Sequence, residues 1–488
     1  MIVIDLSLGC ETRPKINVTW TFPESCFFPY GRDFFELVEQ GMLKKILFKN
    51  ALIVTLNAKE DLIHGDLLVC GEEISAIGVV PPEESEGAQV IDCEGNPIIP
   101  GFVQTHIHLC QTLMRNMADD MVLIDWLKQR IWPYEAALDP ERLKISSHIG
   151  LAELILGGTT AIVDMGTVHH TESIVEAVQR SGIDAVLGKC MMDLGDEVPA
   201  PMREKTADSL KESRRLFDVI DGLGEGRLRY GFAPRFAISC TETLLREVSE
   251  MAKDIDAFIH THGSETAFEN DFAQSNYGCS NIEFLEKVGM TGEKTIIAHG
   301  VHLADNDIDI LAKGRTIICH CPSSNLKLAS GIANIPLLDS KGVRVSLGAD
   351  GAPCNNNLDA FIEMRLAALL QKPIHGPTAM PAKRVLKLAT IDGAHAIQKG
   401  DVLGSLEVGK LASLVVLDLK NDPGAGPGGD IYSRIVYGTH RANVQHVFAR
   451  GKHLVDNKEL VGVDLGQLMA QGREALTKSV ETMQKFIS

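Results

Sequence analysis

Aromatic residues make up only 5% of this 488-residue chain, and its 47 Lys and Arg are outnumbered by 65 Asp and Glu. The formal charge of -18 at pH 7 argues against nucleic acid or anionic membrane as the main partner, because phosphate surfaces reward a basic face. It suits small neutral or cationic substrates. The 11 cysteines include no CxxC pair, and an odd, scattered set is a poor disulfide framework, so reduced thiols of a cytoplasm fit better. No apolar run approaches the ~20 residues that span a bilayer. The opening MIVIDLSLGCETRPK lacks the basic start and apolar core of a signal peptide, so an unexported, cytoplasmic protein is expected.

What is present is enough apolar sequence, 45% of the chain, for a large domain and a smaller one. Residues 1–42 show no clean period and concentrate Phe27, Phe28, Tyr30, Phe34 and Phe35, which marks an appended N-terminal extension. From there KILFKNALIVTLN, GDLLVCGEEISAIG and AQVIDCEGNPIIPG read as β-hairpins. The texture returns in GSLEVGKLASLVVLDL and NVQHVFARGKHLV. One small β-sandwich domain built from both ends of the chain, 43–98 with 404–460, is the expectation. Between them, over 99–403, apolar strands alternate with helices: TTAIVDM then SIVEAVQRSG, DAFIHTH then NIEFLEKVG, KTIIAHG then DIDILAKG, TIICHCP then IPLLDSKG, RVSLGAD then DAFIEMRLAALLQK. Repeated βα units with buried strands mean a parallel sheet, and enough units fit for a closed (β/α)8 barrel, although periodicity does not separate it from an open doubly wound sheet. Residues 461–488 read as a C-terminal amphipathic helix.

The chemistry lies at strand ends. In IIPGFVQTHIHL alternation places His106 and His108 on one face of a strand, where both imidazoles could meet one ion. Alone the pair is weak evidence, since a strand can carry two unrelated polar residues. Later apolar runs, however, also end in metal-competent groups: His262, His299 and Asp350. Taken singly, His299 could be a core histidine and Asp350-Gly351 an ordinary turn. In a barrel these ends converge on one mouth, and three imidazoles with a carboxylate form an N/O set suited to zinc. Glu265, three residues beyond His262, stands where a proton shuttle is needed, because a divalent ion makes nearby water acidic near neutral pH. His260 alternates onto the His262 face, which leaves the choice between the two open, with the H-x-x-E spacing favouring His262.

PGFVQTHIHL, HGSE, AHGVHL, HCPSSNLKLASGI, LGADGAPCNNN and EMRLAALLQK together resemble the cytosine/adenosine deaminase branch of the amidohydrolase superfamily. That branch includes S-adenosylhomocysteine, methylthioadenosine and 5'-deoxyadenosine deaminases, guanine deaminases and triazine hydrolases. The resemblance covers roughly residues 43–460. It implies one Zn2+ per chain, with Fe2+ or Mn2+ as alternatives, held by His106, His108, His262 and Asp350. It also implies that His299 contacts the water or tetrahedral intermediate, that Asp350 helps deprotonate the water, and that Glu265 protonates the ring nitrogen and assists ammonia departure. Lys189 is not expected to act as the bridging carboxylated lysine of binuclear relatives.

Within DWLKQRIWPYE the resemblance maps onto Trp126 and Glu135 an aromatic residue and a glutamate that holds ribose hydroxyls; a core Trp and a surface Glu are the bland alternative. Arg235 departs from the pattern, standing where homocysteine-type nucleoside deaminases usually have a histidine directed at the purine, and Ser413 replaces a common Asp. An adenosine-type nucleoside is the expected substrate. A guanine-type aminopurine, an s-triazine amino- or chlorohydrolase activity, and a non-catalytic barrel scaffold are the alternatives. His320, Ser324, Asn325 and Asn355 to Asn357 could line the pocket or cap turns, and relatives of this kind are often homo-oligomers.

Overall fold

The strand-rich runs at either end of the chain meet in a single sheet, and the alternating middle closes on itself. The computed structural model describes residues 45–487, and the extension expected over 1–42 lies outside them. The first run forms β1 (Lys45–Val54), β2 (Leu62–Cys70), β3 (Glu73–Gly78), β4 (Gln89–Asp92) and β5 (Pro97–Pro100). The middle forms β6 (Phe102–His108), β7 (Thr159–Met165), β8 (Asp184–Gly188), β9 (Cys190–Met191), β10 (Leu228–Pro234), β11 (Phe258–Gly263), β12 (Thr295–His299), β13 (Ile317–His320), β14 (Arg344–Leu347) and β15 (Asp350–Gly351).

These ten strands run in the order β14-β13-β12-β11-β10-β8-β7-β6-β15, with β9 beside β10. β9 continues β8 past Lys189, and β15 continues β14 past Gly348 and Ala349, so the staves number eight. The last stave seals the ring: β14 pairs with β13, while β15 pairs with β6, setting Asp350 opposite Ile107 and Gly351 opposite His108. Every residue of β6, β7, β11, β12 and β13 is buried. Their near-continuous apolar character follows from having side chains inside the ring and helices outside it. Gly348 sits at the seal, where a Cβ would lie 2.8 Å from the backbone oxygen of His106; only glycine admits so close an approach of two staves.

The second strand-rich run forms β16 (Leu414–Leu417), β17 (Val444–Ala449), β18 (Lys452–Asp456) and β19 (Glu459–Leu460). They join the first run in one nine-stranded sheet, β19-β18-β17-β16-β5-β1-β2-β3, with β4 beside β1. Residues from both runs, Phe48 and Ile53 with Leu414, Val416 and Phe448, share one buried apolar cluster. The Phe48 and Phe448 rings meet edge to face at 5.1 Å. The C-terminal helix, Leu465–Met483, rests on the helix Pro140–Leu156 that follows β6, and Arg142 Nη1 donates to Thr482 Oγ1 at 3.1 Å. No helix among the described residues is long and apolar enough to cross a membrane.

Candidate metal centre and its pocket

Four buried side chains from three staves converge at the C-terminal mouth of the barrel. His106 and His108 come from β6, His262 from β11 and Asp350 from β15; each offers a donor atom, and these atoms all lie within 4.8 Å of one another. Each imidazole is anchored by Nδ1. His108 Nδ1 donates to the Met165 carbonyl at 2.8 Å and His262 Nδ1 to the Arg235 carbonyl at 2.7 Å. His106 Nδ1 lies 2.8 Å from His260 Nε2. With the Nδ1 protons so engaged, each Nε2 carries a lone pair. The sequence left His260 and His262 as rivals for one position; His262 joins the donor set and His260 holds a neighbouring ring.

The donors fit a divalent cation. His106 Nε2 and His108 Nε2 lie 3.2 and 3.4 Å from Asp350 Oδ1, and His108 Nε2 lies 3.3 Å from His262 Nε2. His106 Nε2 is buried without a hydrogen-bond partner. Burial pushes the His108 pKa down to about 3 and holds His106 and His262 below the usual imidazole range. Burial alone would raise Asp350, but His106, His299 and His108 outweigh it and keep the carboxylate ionised. Neutral lone pairs and an anion crowded on one point repel unless a cation lies among them, and an N3O set is one that zinc, iron or manganese accepts.

Glu265 and His299 flank this cluster. His299 Nε2 lies 3.5 Å from Glu265 Oε2 and 3.9 Å from Asp350 Oδ2, and its Nδ1 donates to Asn325 Oδ1 at 2.8 Å. Burial opposes charge on His299, but Glu265 and Asp350 outweigh it and raise its pKa. Burial likewise raises the Glu265 pKa; Ser330 Oγ donates to its Oε1 at 3.1 Å. His299 and Asp350 adopt left-handed backbone, φ 78° and 63°. Such conformations cost about 1–3 kcal/mol and persist where the surroundings over-determine them, commonly at working sites.

Ser324 and Asn325, read from sequence as wall or cap residues, instead brace the centre. Ser324 Oγ donates to Asp350 Oδ2 at 2.7 Å, while Asn325 orients His299. Glu363 in the following helix accepts from Ser323 N at 3.1 Å and Asn355 Nδ2 at 2.8 Å, tying the two loops together. Glu363 lies within EMRLAALLQK, and nothing in its local pattern marks it as a brace. His302 bonds locally to the Ser330 carbonyl at 2.7 Å. Lys189 pairs with Glu204, and Cys319 and Cys321 are buried free thiols. Ser413 lies in the sheet region, where its Oγ accepts from Arg450 N at 3.1 Å.

A narrow cavity of about 20 Å3 opens onto the centre, lined by His108, His262, Glu265, His299 and Asp350 together with Gln111, Trp126, Arg235 and apolar side chains. A wide π-type turn over Leu127–Ile131 follows Trp126, and Leu127 also lines the cavity. Trp126, Arg235 and His299 all line this cavity. Glu135, expected to hold ribose hydroxyls, is engaged here by two neighbouring side chains. It is not among the lining residues, and its Oε2 accepts from Arg235 Nη1 at 2.7 Å. Its Oε1 accepts from Gln111 Nε2 at 2.8 Å and Arg235 Nη2 at 3.3 Å. The reason is electrostatic: a guanidinium only 4% exposed needs a buried counter-charge. Gln111 was not singled out from sequence, and nothing in its local pattern distinguishes it from a turn residue.

Residues 98–454 match the amidohydrolase family. A 5'-deoxyadenosine deaminase of Methanobrevibacter smithii is 37% identical over 438 residues, covering 89% of this chain and 98% of that one. A 5-methylthioadenosine/S-adenosylhomocysteine deaminase of Syntrophomonas wolfei is 34% identical over 439 residues, 89% of this chain and 99% of that one. Among solved structures, an adenosine deaminase from Xanthomonas campestris with bound zinc superposes with a TM-score of 0.83 at 28% identity, covering 90% of this chain and 99% of that one.

Proposed function

The chain belongs to the amidohydrolase family, and from that premise we propose that it deaminates an adenosine-type nucleoside of the 5'-deoxyadenosine, methylthioadenosine and S-adenosylhomocysteine class. Hydrolysis replaces the ring amino group with oxygen and releases ammonia. The observation that carries this assignment is the position of Glu265 on the cavity wall, with Oε2 3.5 Å from His299 Nε2, beside a buried donor set able to hold an ion.

His106, His108, His262 and Asp350 would hold one divalent ion, zinc being the best match to three imidazoles and a carboxylate. When bound, it supplies Lewis acidity that makes water a competent nucleophile at neutral pH. Glu265, with its proton affinity raised by burial, accepts one proton from the attacking water and passes it to the ring nitrogen; the second proton, left on the newly attached oxygen, is then carried to the departing amine, so that ammonia leaves as the ring carbonyl forms. His299, fixed by Asn325, donates toward the oxygen that develops charge as the ring carbon becomes tetrahedral. Leu123, Leu127, Phe236 and Leu328 keep bulk water from the heterocycle, which strengthens each of these contacts.

A panel of adenine nucleosides, guanine, pterins, pyrimidines and s-triazines, incubated with the zinc-loaded protein, tests the assignment by ammonia release and by the ultraviolet shift from an adenine to a hypoxanthine product. Turnover of adenine nucleosides is expected. Turnover of triazines or guanine with none on adenine nucleosides would overturn it.

A further inference from the structure

Away from the barrel mouth, a second set of metal-competent side chains comes together on the β17–β18 hairpin of the nine-stranded sheet. A β-bulge brings this about. Val447 pairs with Val455 but Phe448 pairs with His453, which leaves Leu454 as an extra residue. Strict alternation would send residues 453 and 456 to opposite faces. One inserted residue puts His453 and Asp456 on the same face, and one step along the register from Val447 and Val455, Asp456 comes opposite His446. The following turn then fixes the carboxylate. Asp456 pairs with Glu459, and Asn457 and Lys458 between them both have positive φ, 45° and 73°, the signature of a two-residue type I′ hairpin turn. The His453 ring is held by stacking on Phe448, with centroids 4.1 Å apart and planes at 10°.

His446 Nδ1 lies 3.2 Å from Asp456 Oδ1, and His453 Nε2 lies 3.8 Å from the same oxygen. The three donor atoms all lie within 4.8 Å of one another. Donors that share one ion at ~2.0–2.2 Å stand roughly 3–4 Å apart. Asn457 N donates to His446 Nδ1, so that nitrogen carries a lone pair rather than a proton. At 3.3 Å the bond is long and holds the lone pair weakly. Two acceptor atoms therefore face each other across 3.2 Å, an arrangement that a cation between them turns from repulsion into attraction. His446 is buried, His453 half-buried and Asp456 exposed, which leaves a path from solvent and room for water as a further ligand. The formal charge of -18 favours cations near the surface. We propose that His446, His453 and Asp456 form a second metal site, one that takes a divalent transition-metal cation and clips β17 to β18 beside the edge strand β19. Two imidazoles and one carboxylate suit zinc, nickel or copper, whereas magnesium and calcium prefer oxygen throughout.

The test titrates the full-length, metal-free protein with Zn2+ by calorimetry, beside His453→Ala and Asp456→Asn. Two equivalents are expected for the wild type, the second weaker than the first. Each variant should keep the first equivalent and bind the second more weakly by over about 100-fold, beyond the ~10- to 100-fold that loss of a ligand's hydrogen-bond partner costs. Asp456 is exposed, so Asp456→Asn leaves the packing intact even if His453→Ala unfolds the hairpin. Zinc added beyond the first equivalent should raise the Tm of the wild type, because an ion that binds only the folded chain stabilises it, and should leave that of Asp456→Asn unchanged. A single equivalent that neither variant loses overturns the proposal. So does a second equivalent that both variants retain, which is adventitious binding elsewhere on the surface. A single equivalent that both variants lose supports the hairpin site and removes the ion from the barrel mouth instead.

Discussion

His106 Nδ1 lies 2.8 Å from His260 Nε2. For His106 Nε2 to offer its lone pair beside Asp350 Oδ1, 3.2 Å away, the His106 proton must sit on Nδ1 and be given to His260. One histidine thus sets the tautomer of another, across 154 residues of sequence.

That relationship makes His260 a support whose removal is felt in metal affinity. His260→Leu deletes the acceptor and is expected to weaken zinc binding by about 10- to 100-fold, as is usual for partners that orient metal-ligating histidines. His260→Gln, whose carbonyl can still accept, should retain most of it. Competition against a chelator of known affinity measures both. Wild-type affinity in His260→Leu would show that the ring orientation does not depend on this contact.

Glu265→Gln keeps the shape of the side chain and its contact with Ser330 but can neither take nor return a proton. A fall in kcat of about 10^2- to 10^4-fold is expected for loss of general acid/base catalysis. The variant should keep full zinc content by elemental analysis. Loss of metal with loss of activity would instead make Glu265 a ligand.

Asn325→Ala removes the acceptor that holds His299 Nδ1 at 2.8 Å. kcat is expected to fall by about 10- to 100-fold, the cost of one hydrogen bond to a group that becomes charged, while zinc content stays unchanged. Steady-state kinetics beside metal analysis distinguishes this from damage to the centre.

Asp164, at the end of β7, accepts one backbone hydrogen bond from Leu109 N at 2.7 Å, and its other oxygen is buried without a partner. Burial pushes its pKa up from 3.8 to about 7. The folded chain therefore keeps a proton that the unfolded chain releases, and the associated stability is complete below about pH 4 and lost as pH rises through 7. In Asp164→Asn the slope of stability against pH in that window should flatten by at most about 1.4 kcal/mol per pH unit, one proton's worth. A protonated-carboxyl C=O stretch present at pH 5, absent at pH 9 and missing from the variant checks the assignment by difference infrared spectroscopy. An unaltered spectrum in the variant would contradict it.

Local sequence determined the kind of fold and the chemistry at its mouth. Strands such as TTAIVDM and TIIAH are apolar at every other position or nearly throughout because both faces are covered, and that is visible in the residues themselves. The period of two put His106 and His108 on one side of a strand, and metal-competent residues at the ends of later strands marked a shared mouth. Which of those residues meet was decided only by the closed ring. The β15–β6 pairing brings Asp350 beside His108 although 242 residues separate them, and no local period encodes that register. The same limit separates His260 from His262, since alternation assigns a face but not the neighbour that a ring finds there. It also hides the neighbours of Glu135, which a family pattern assigned to ribose. A buried guanidinium from a stave 100 residues away captured that carboxylate, because a charge taken out of water binds the nearest opposite charge whatever the sequence distance between them.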